Sequence, residues 1–207
     1  PDTAATPVGA FGLTLGGRIM TEASRRRRLL ELFKTRAVSF GRFTLASGKE
    51  STYYINSKKA LFHSEAAALL GEALWDLTKD LNVQAIGGLE LGAIPMATAA
   101  VVRYHQEGRT LEGFFVRKEV KGHGSKERIE GVLPAGARVA VVDDVLTTGG
   151  SALQAVEAVE AAGASVAAVI CIVDRLQGAR KLFTPRYDYR PIFTIRDFGI
   201  AEGEQPA

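Results

Sequence analysis

Of 207 residues only one is cysteine, Cys171, which excludes an internal disulfide and a cysteine-rich metal site. It sits inside the apolar run Val166–Val173, so a buried thiol in a reducing, cytoplasmic compartment is expected. No apolar stretch approaches the roughly 18 residues of a membrane span. Pro1–Ile19 lacks a charged start followed by a continuous apolar core, so no secretory signal is expected there. A G-x-x-x-x-G-K-[ST] nucleotide loop is missing too: around Gly48-Lys49, Phe43 stands where the first glycine should be and Glu50 where Ser or Thr should be. Internal repeats and low-complexity tracts are absent, and a net charge of +3 is too mild to argue for nucleic acid as a partner.

What is present is ordinary for one globular domain: 46% hydrophobic and 24% charged residues. Residues 1–20, rich in Gly, Ala, Thr and Pro without a period, read as a flexible extension, with Met20 a candidate natural start. Residues 21–207 read as a single domain. Thr21 can cap a helix through about Arg36 with Leu29, Leu30 and Phe33 as its apolar stripe, and the basic run Arg25–Arg28 as a solvated face. Phe43–Lys49 is turn-like and Thr52–Asn56 strand-like. Ala66, Leu69, Leu70, Ala73, Leu74 and Leu77 recur at helical spacing, with Trp75 as a packing residue. Further strands are expected at Val83–Gly88, Glu112–Arg117, Val139–Asp143, Val166–Val173 and Tyr187–Thr194, with helices at Ile94–His105 and Ser151–Ala162. Residues 118–131 have no useful period. Strands alternating with helices imply an α/β fold with a parallel sheet covered on both faces.

The rest of the chain is arranged around Arg138–Ser151, where an apolar strand ends on Asp143-Asp144, passes through Val145-Leu146-Thr147-Thr148-Gly149-Gly150, and enters a helix at Ser151. Such a strand delivers its acids to the carboxyl end of the sheet, where open α/β sheets place ligands. The glycines let backbone N–H groups approach a ligand, Thr147, Thr148 and Ser151 add hydroxyls, and the helix contributes its positive end. That loop suits a phosphate. The two acids suit ribose hydroxyls or, through water, magnesium on the same ligand, so a phosphorylated sugar fits both halves.

Val-Val-Asp-Asp-Val-Leu-Thr-Thr-Gly-Gly-Ser resembles the phosphoribosyl pyrophosphate (PRPP) loop of type I phosphoribosyltransferases. The resemblance implies that family's fold, a mostly parallel central sheet flanked by helices with a small N-terminal hood at about residues 21–60, and Asp143–Ser151 as PRPP contacts. Arg117-Lys118-Glu119-Val120-Lys121-Gly122-His123-Gly124 is similar to the catalytic loop of the orotate phosphoribosyltransferases. By composition it is a loop with several cations and glycine hinges, suited to a lid gripping pyrophosphate. By resemblance, Arg117, Lys118, Lys121 and His123 would contact PRPP, with Lys121 stabilising the leaving group, and the mobile loop, about 118–131, would reach into a partner subunit, which implies a homodimer.

An Arg after a buried strand, as in Val173-Asp174-Arg175, can meet a carboxylate with its planar fork. In the resembling family that Arg binds orotate and the first Thr of the PRPP loop, here Thr147, touches it. Phe43–Lys49 with Tyr53–Asn56 resembles the hood, with Tyr54 against the base and Lys49 and Lys58 as further phosphate or pyrophosphate candidates. Two departures stand out: Ala46, and Leu91-Gly92 where many members carry Tyr-Lys. The activity implied is transfer of the phosphoribosyl group from PRPP to orotate in pyrimidine synthesis, with Mg²⁺ held mainly by PRPP and no direct protein ligand assigned. The alternatives are a transferase for another base, against which Arg175 argues, or a PRPP-binding transcriptional regulator, whose only DNA-binding candidate is Arg25–Arg28.

Overall fold

The computed structural model describes residues 14–15, 18–44, 50–119 and 128–201. In chain order the elements are β1 (Thr14–Leu15), β2 (Arg18–Ile19), α1 (Glu22–Arg36), β3 (Val38–Thr44), β4 (Glu50–Ile55), α2 (Lys58–Leu61) and α3 (Ser64–Thr78). They continue with β5 (Ala85–Leu89), α4 (Ala93–Gln106), β6 (Glu112–Val116), β7 (Ile129–Gly131), β8 (Arg138–Leu146), α5 (Gly150–Ala161), β9 (Ser165–Asp174), α6 (Ala179–Phe183) and β10 (Asp188–Thr194), followed by a 3₁₀ turn at Ile195–Phe198.

Six strands form the central sheet in the order β10-β9-β8-β5-β6-β7. Every neighbouring pair is parallel except β6 with β7. Because side chains alternate along a strand, the two central strands feed two core layers. Ala140, Val142, Ile170 and Ile172 pack toward Leu29, Phe33, Leu70, Leu74, Met96 and Tyr104 on one side. Val139, Val141, Val169 and Cys171 pack toward Ala155, Val156, Val159 and Phe183 on the other. Cys171 is buried as expected, and desolvation pushes its thiol pKa up, away from thiolate chemistry. No helix among the described residues is long and apolar enough to cross a membrane.

Thr21 does cap α1, its hydroxyl accepting from the Ser24 N–H at 3.2 Å. The buried stripe of that helix is Leu29, Leu32 and Phe33, with Leu30 only partly covered. The reading of Arg25–Arg28 as a solvated face holds for the exposed Arg26 and Arg27 and is corrected for Arg25 and Arg28, which are half-buried in ion pairs. Arg25 reaches Asp76 at 2.8 Å, Arg28 grips Glu65 with two bonds of 2.7 and 2.8 Å, and Arg26 donates to the Ile192 carbonyl at 2.9 Å. The cations therefore clamp α1 to α3 and to the end of β10, because helix α3 places carboxylates along the facing side. Trp75 packs edge-on against Tyr104 with ring centroids 4.9 Å apart.

Besides the short helices α2 and α6, which no sequence pattern announced, the structure departs from the sequence reading in three places. Part of residues 1–20 is paired, β1 with β2. Val38–Thr44 is a strand, antiparallel to β4, where no strand was expected. Within the aperiodic 118–131 segment, Ile129–Gly131 forms an antiparallel edge strand on β6. β3 has largely exposed side chains, and β7 is a three-residue edge strand with half-buried Ile129 and Glu130, so hydrophobic alternation marks neither.

Candidate active site

The carboxyl ends of β5, β8 and β9 meet where the sequence placed the ligand. β8 runs on to Leu146 rather than ending at Asp143, because β9 pairs with it as far as Leu146 opposite Asp174. Asp143 and Asp144 thus sit on the last turns of an ordered strand. The Leu146 side chain is buried in the core, which leaves its backbone to face the loop. Thr147 is half-buried, Thr148 and Gly150 are exposed, and Gly149 starts α5 with φ +93°. A Cβ at Gly149 would lie 2.7 Å from the Phe183 ring, so the residue is fixed by both conformation and space. Ser151, in the first turn of α5, turns its hydroxyl back to Asp143 Oδ2 at 2.8 Å.

Asp143 is almost fully buried, and its pKa is pushed up to about 7, first by loss of solvent and then by the neighbouring Asp144. Asp144 faces the hood. Its Oδ2 accepts from the Ser57 hydroxyl and lies 3.5 Å from Lys58 Nζ, while its Oδ1 accepts from the Val145 N–H at 2.9 Å. Gly92 completes this wall: a Cβ there would approach Asp144 Oδ1 to 2.5 Å. The departure from the Tyr-Lys pattern therefore makes room for the acid in the position it holds here.

The Arg175 side chain points to the hood, donating from Nε and Nη2 to Tyr53 Oη at 3.1 and 2.6 Å. Tyr53 and Tyr54 alternate: Tyr53 is buried, whereas Tyr54 is exposed and lies against Phe43 at 5.7 Å between ring centroids. Of the two tyrosines, the structure brings Tyr53, not Tyr54, to Arg175. Arg117 is half-buried on the edge of the sheet, 3.4 Å from Glu130, and the Lys118 side chain is exposed while its N–H donates to Glu90 at 2.9 Å. Lys49, Lys121 and His123 lie outside the described residues. Two residues that sequence reasoning missed are Tyr53, legible from period-2 alternation with buried Ser51, and Ser57, which no sequence pattern marks.

Among the described residues no group of three or more His, Cys, Asp or Glu side chains is placed to hold a metal ion. Asp143 has both carboxyl oxygens taken, Oδ1 by the Asp144 N–H and Oδ2 by the Ser151 hydroxyl, so of the two acids the more exposed Asp144 is the one whose oxygens a magnesium ion on a phosphorylated ligand could approach through water.

A strand ending in paired acids, a glycine turn and a helix N-terminus at the end of a parallel sheet suits a sugar phosphate. The family model described as phosphoribosyl transferase domain matches residues 59–203, and the chain belongs to that family. Among its relatives, the orotate phosphoribosyltransferase of Rhodopirellula baltica is 41% identical over 83% of this chain and 93% of its own length. That of Mycobacterium avium is 44% identical over 83% and 95%. The crystal structure of Mycobacterium tuberculosis orotate phosphoribosyltransferase with PRPP superposes with a TM-score of 0.73 at 39% identity, covering 85% of this chain and 99% of that one. Within the family, the chain stands among the orotate phosphoribosyltransferases.

Proposed function

We propose that the chain transfers the 5-phosphoribosyl group of PRPP to orotate, giving orotidine 5′-monophosphate and pyrophosphate. The observation that carries this is the conjunction of Asp143-Asp144 and the Gly149–Ser151 turn with Arg175 on the adjoining strand end. N1 of orotate forms a bond to C1 of the ribose as the bond from C1 to pyrophosphate breaks, and pyrophosphate leaves with the electron pair. The backbone N–H groups of the 147–151 loop and the start of α5 hold the 5′-phosphate, while Asp143 and Asp144 accept from ribose hydroxyls. Ser57 now donates to Asp144 as such a hydroxyl would. Arg175 pairs with the orotate carboxylate, and Thr147 borders the base.

Arg117, Lys118, Lys121 and His123 supply charge to the departing pyrophosphate, and Lys58, already 3.5 Å from Asp144, supplies a cation that Gly92 cannot. Magnesium carried by PRPP would add positive charge at the same phosphates. Catalysis by this design is positioning and electrostatic stabilisation. We place the enzyme in the cytoplasm.

The enzyme works as a homodimer on this reading. A groove of about 790 Å³ between α3 and α4 is lined by Phe62, Leu91, Ile94 and Val102, and begins at Lys58 beside the site. Phe62, Leu91 and Val102 are all strongly exposed, an apolar patch suited to burial against a second copy. A DNA-binding regulator is disfavoured because Arg25, Arg26 and Arg28 are engaged within the fold. The test is turnover: orotate with PRPP and Mg²⁺ should yield pyrophosphate, and PRPP binding without turnover of any base would overturn the assignment.

A further inference from the structure

Arg175 is held at both ends, and neither restraint belongs to the reaction as described. At the backbone, the Arg175 N–H donates to the Leu146 carbonyl at 2.8 Å, which ties it to the end of β8. On its two sides stand Asp174, fully buried, and Leu176, whose φ of +57° is one that leucine rarely adopts. The Asp174 Oδ1 accepts from the Leu176 N–H at 2.7 Å, closing a tight turn around Arg175 that supports the left-handed residue.

At the far end, the Tyr53 hydroxyl takes both Nε and Nη2 of the guanidinium, whose carbon lies 4.9 Å from the centroid of the Tyr53 ring. Tyr53 is only 3% exposed, so this oxygen is an anchor set in the core of the hood. A guanidinium has two edges that can act as a fork, Nε with Nη2 and Nη1 with Nη2. Tyr53 consumes the first. Nη1 makes no hydrogen bond among the described residues, so the second edge is left to present to a ligand.

We propose that Tyr53 and Asp174 are positioning residues: together they fix Arg175 so that its Nη1–Nη2 edge faces the carboxylate of the base. Asp174 sets where the chain leaves β9, and Tyr53 sets which edge of the fork is free. This rests on the assignment of Arg175 to the orotate carboxylate. Discrimination for a carboxylated base then depends on two side chains that never touch it.

Tyr53→Phe keeps the ring and removes the acceptor alone. It is expected to raise the KM for orotate about tenfold, the scale of one charge-assisted hydrogen bond, with kcat at saturating orotate and the KM for PRPP unchanged. Asp174→Ala should do the same, and Asp174→Asn, which retains a side-chain oxygen for the Leu176 N–H, should restore most of the loss. Arg175→Ala is the companion measurement. If it raises the orotate KM while Tyr53→Phe does not, the positioning role fails and the base contact stands. If Arg175→Ala leaves the orotate KM unchanged, the base contact itself fails. A further loss on adding Tyr53→Phe to Arg175→Ala would also contradict the proposal, because Tyr53 is held to act through Arg175 alone.

Discussion

Asp143 governs the pH behaviour of the ligand-free site. Burial and the adjacent Asp144 raise its folded pKa from 3.8 to about 7, so within that window the folded chain holds a proton that the unfolded chain releases. The stabilisation this gives is complete at low pH and is lost as pH rises through about 7. Asp144→Asn removes the Coulombic part and leaves the desolvation. Urea denaturation of wild type and variant should therefore show wild type losing more stability between pH 5 and pH 8, by on the order of 1 kcal/mol. Parallel pH profiles would contradict the coupling. The same variant is expected to weaken PRPP binding in calorimetry, since Asp144 is assigned to a ribose hydroxyl. Lys121 rests on its motif alone: Lys121→Ala should lower kcat by about 10²–10³, the cost of removing a preorganised charge-stabilising donor, with an unchanged circular dichroism spectrum. Near-normal turnover would remove Lys121 from the chemistry.

Among the elements, the β8–loop–α5 unit was the most legible in sequence, because a buried strand, two acids and two glycines each have one natural place in an α/β turn. Its length was misjudged at Asp143, since the extension through Leu146 comes from pairing with β9, a tertiary contact that no local pattern carries. The hood was legible as a motif and not as a structure. β3 has exposed side chains on most of its length, and the choice between Tyr53 and Tyr54 at Arg175 is decided by the register of β4 on β3. The loop's rigidity can be tested at Gly149. Alanine there meets a left-handed φ and the Phe183 ring, so Gly149→Ala should cost at least about 1–2 kcal/mol in denaturant unfolding and weaken PRPP binding. Stability equal to wild type would show that the turn relaxes freely.

Across the whole molecule, the α/β architecture followed from the alternation of strands and helices, whereas the apolar groove between α3 and α4 did not. Its residues come from four stretches, 58–62, 67–72, 91–95 and 98–106, that only the fold brings together. If a second copy covers this groove, Val102→Glu should shift sedimentation equilibrium from dimer to monomer and lower turnover, because the partner's Lys121 and the partner's His123 no longer reach the site. A wild-type monomer with full turnover would contradict the shared site.

The central claim is that the paired acids, the glycine turn and Arg175 together make a site for PRPP and a carboxylated pyrimidine. Its most direct test is the loss of orotate, followed by ultraviolet absorbance, with PRPP and Mg²⁺, alongside adenine, hypoxanthine and uracil as competing bases. The account predicts turnover of orotate and none of the others. Turnover of a purine in preference to orotate, or no turnover of any base by a chain that still binds PRPP, would contradict it.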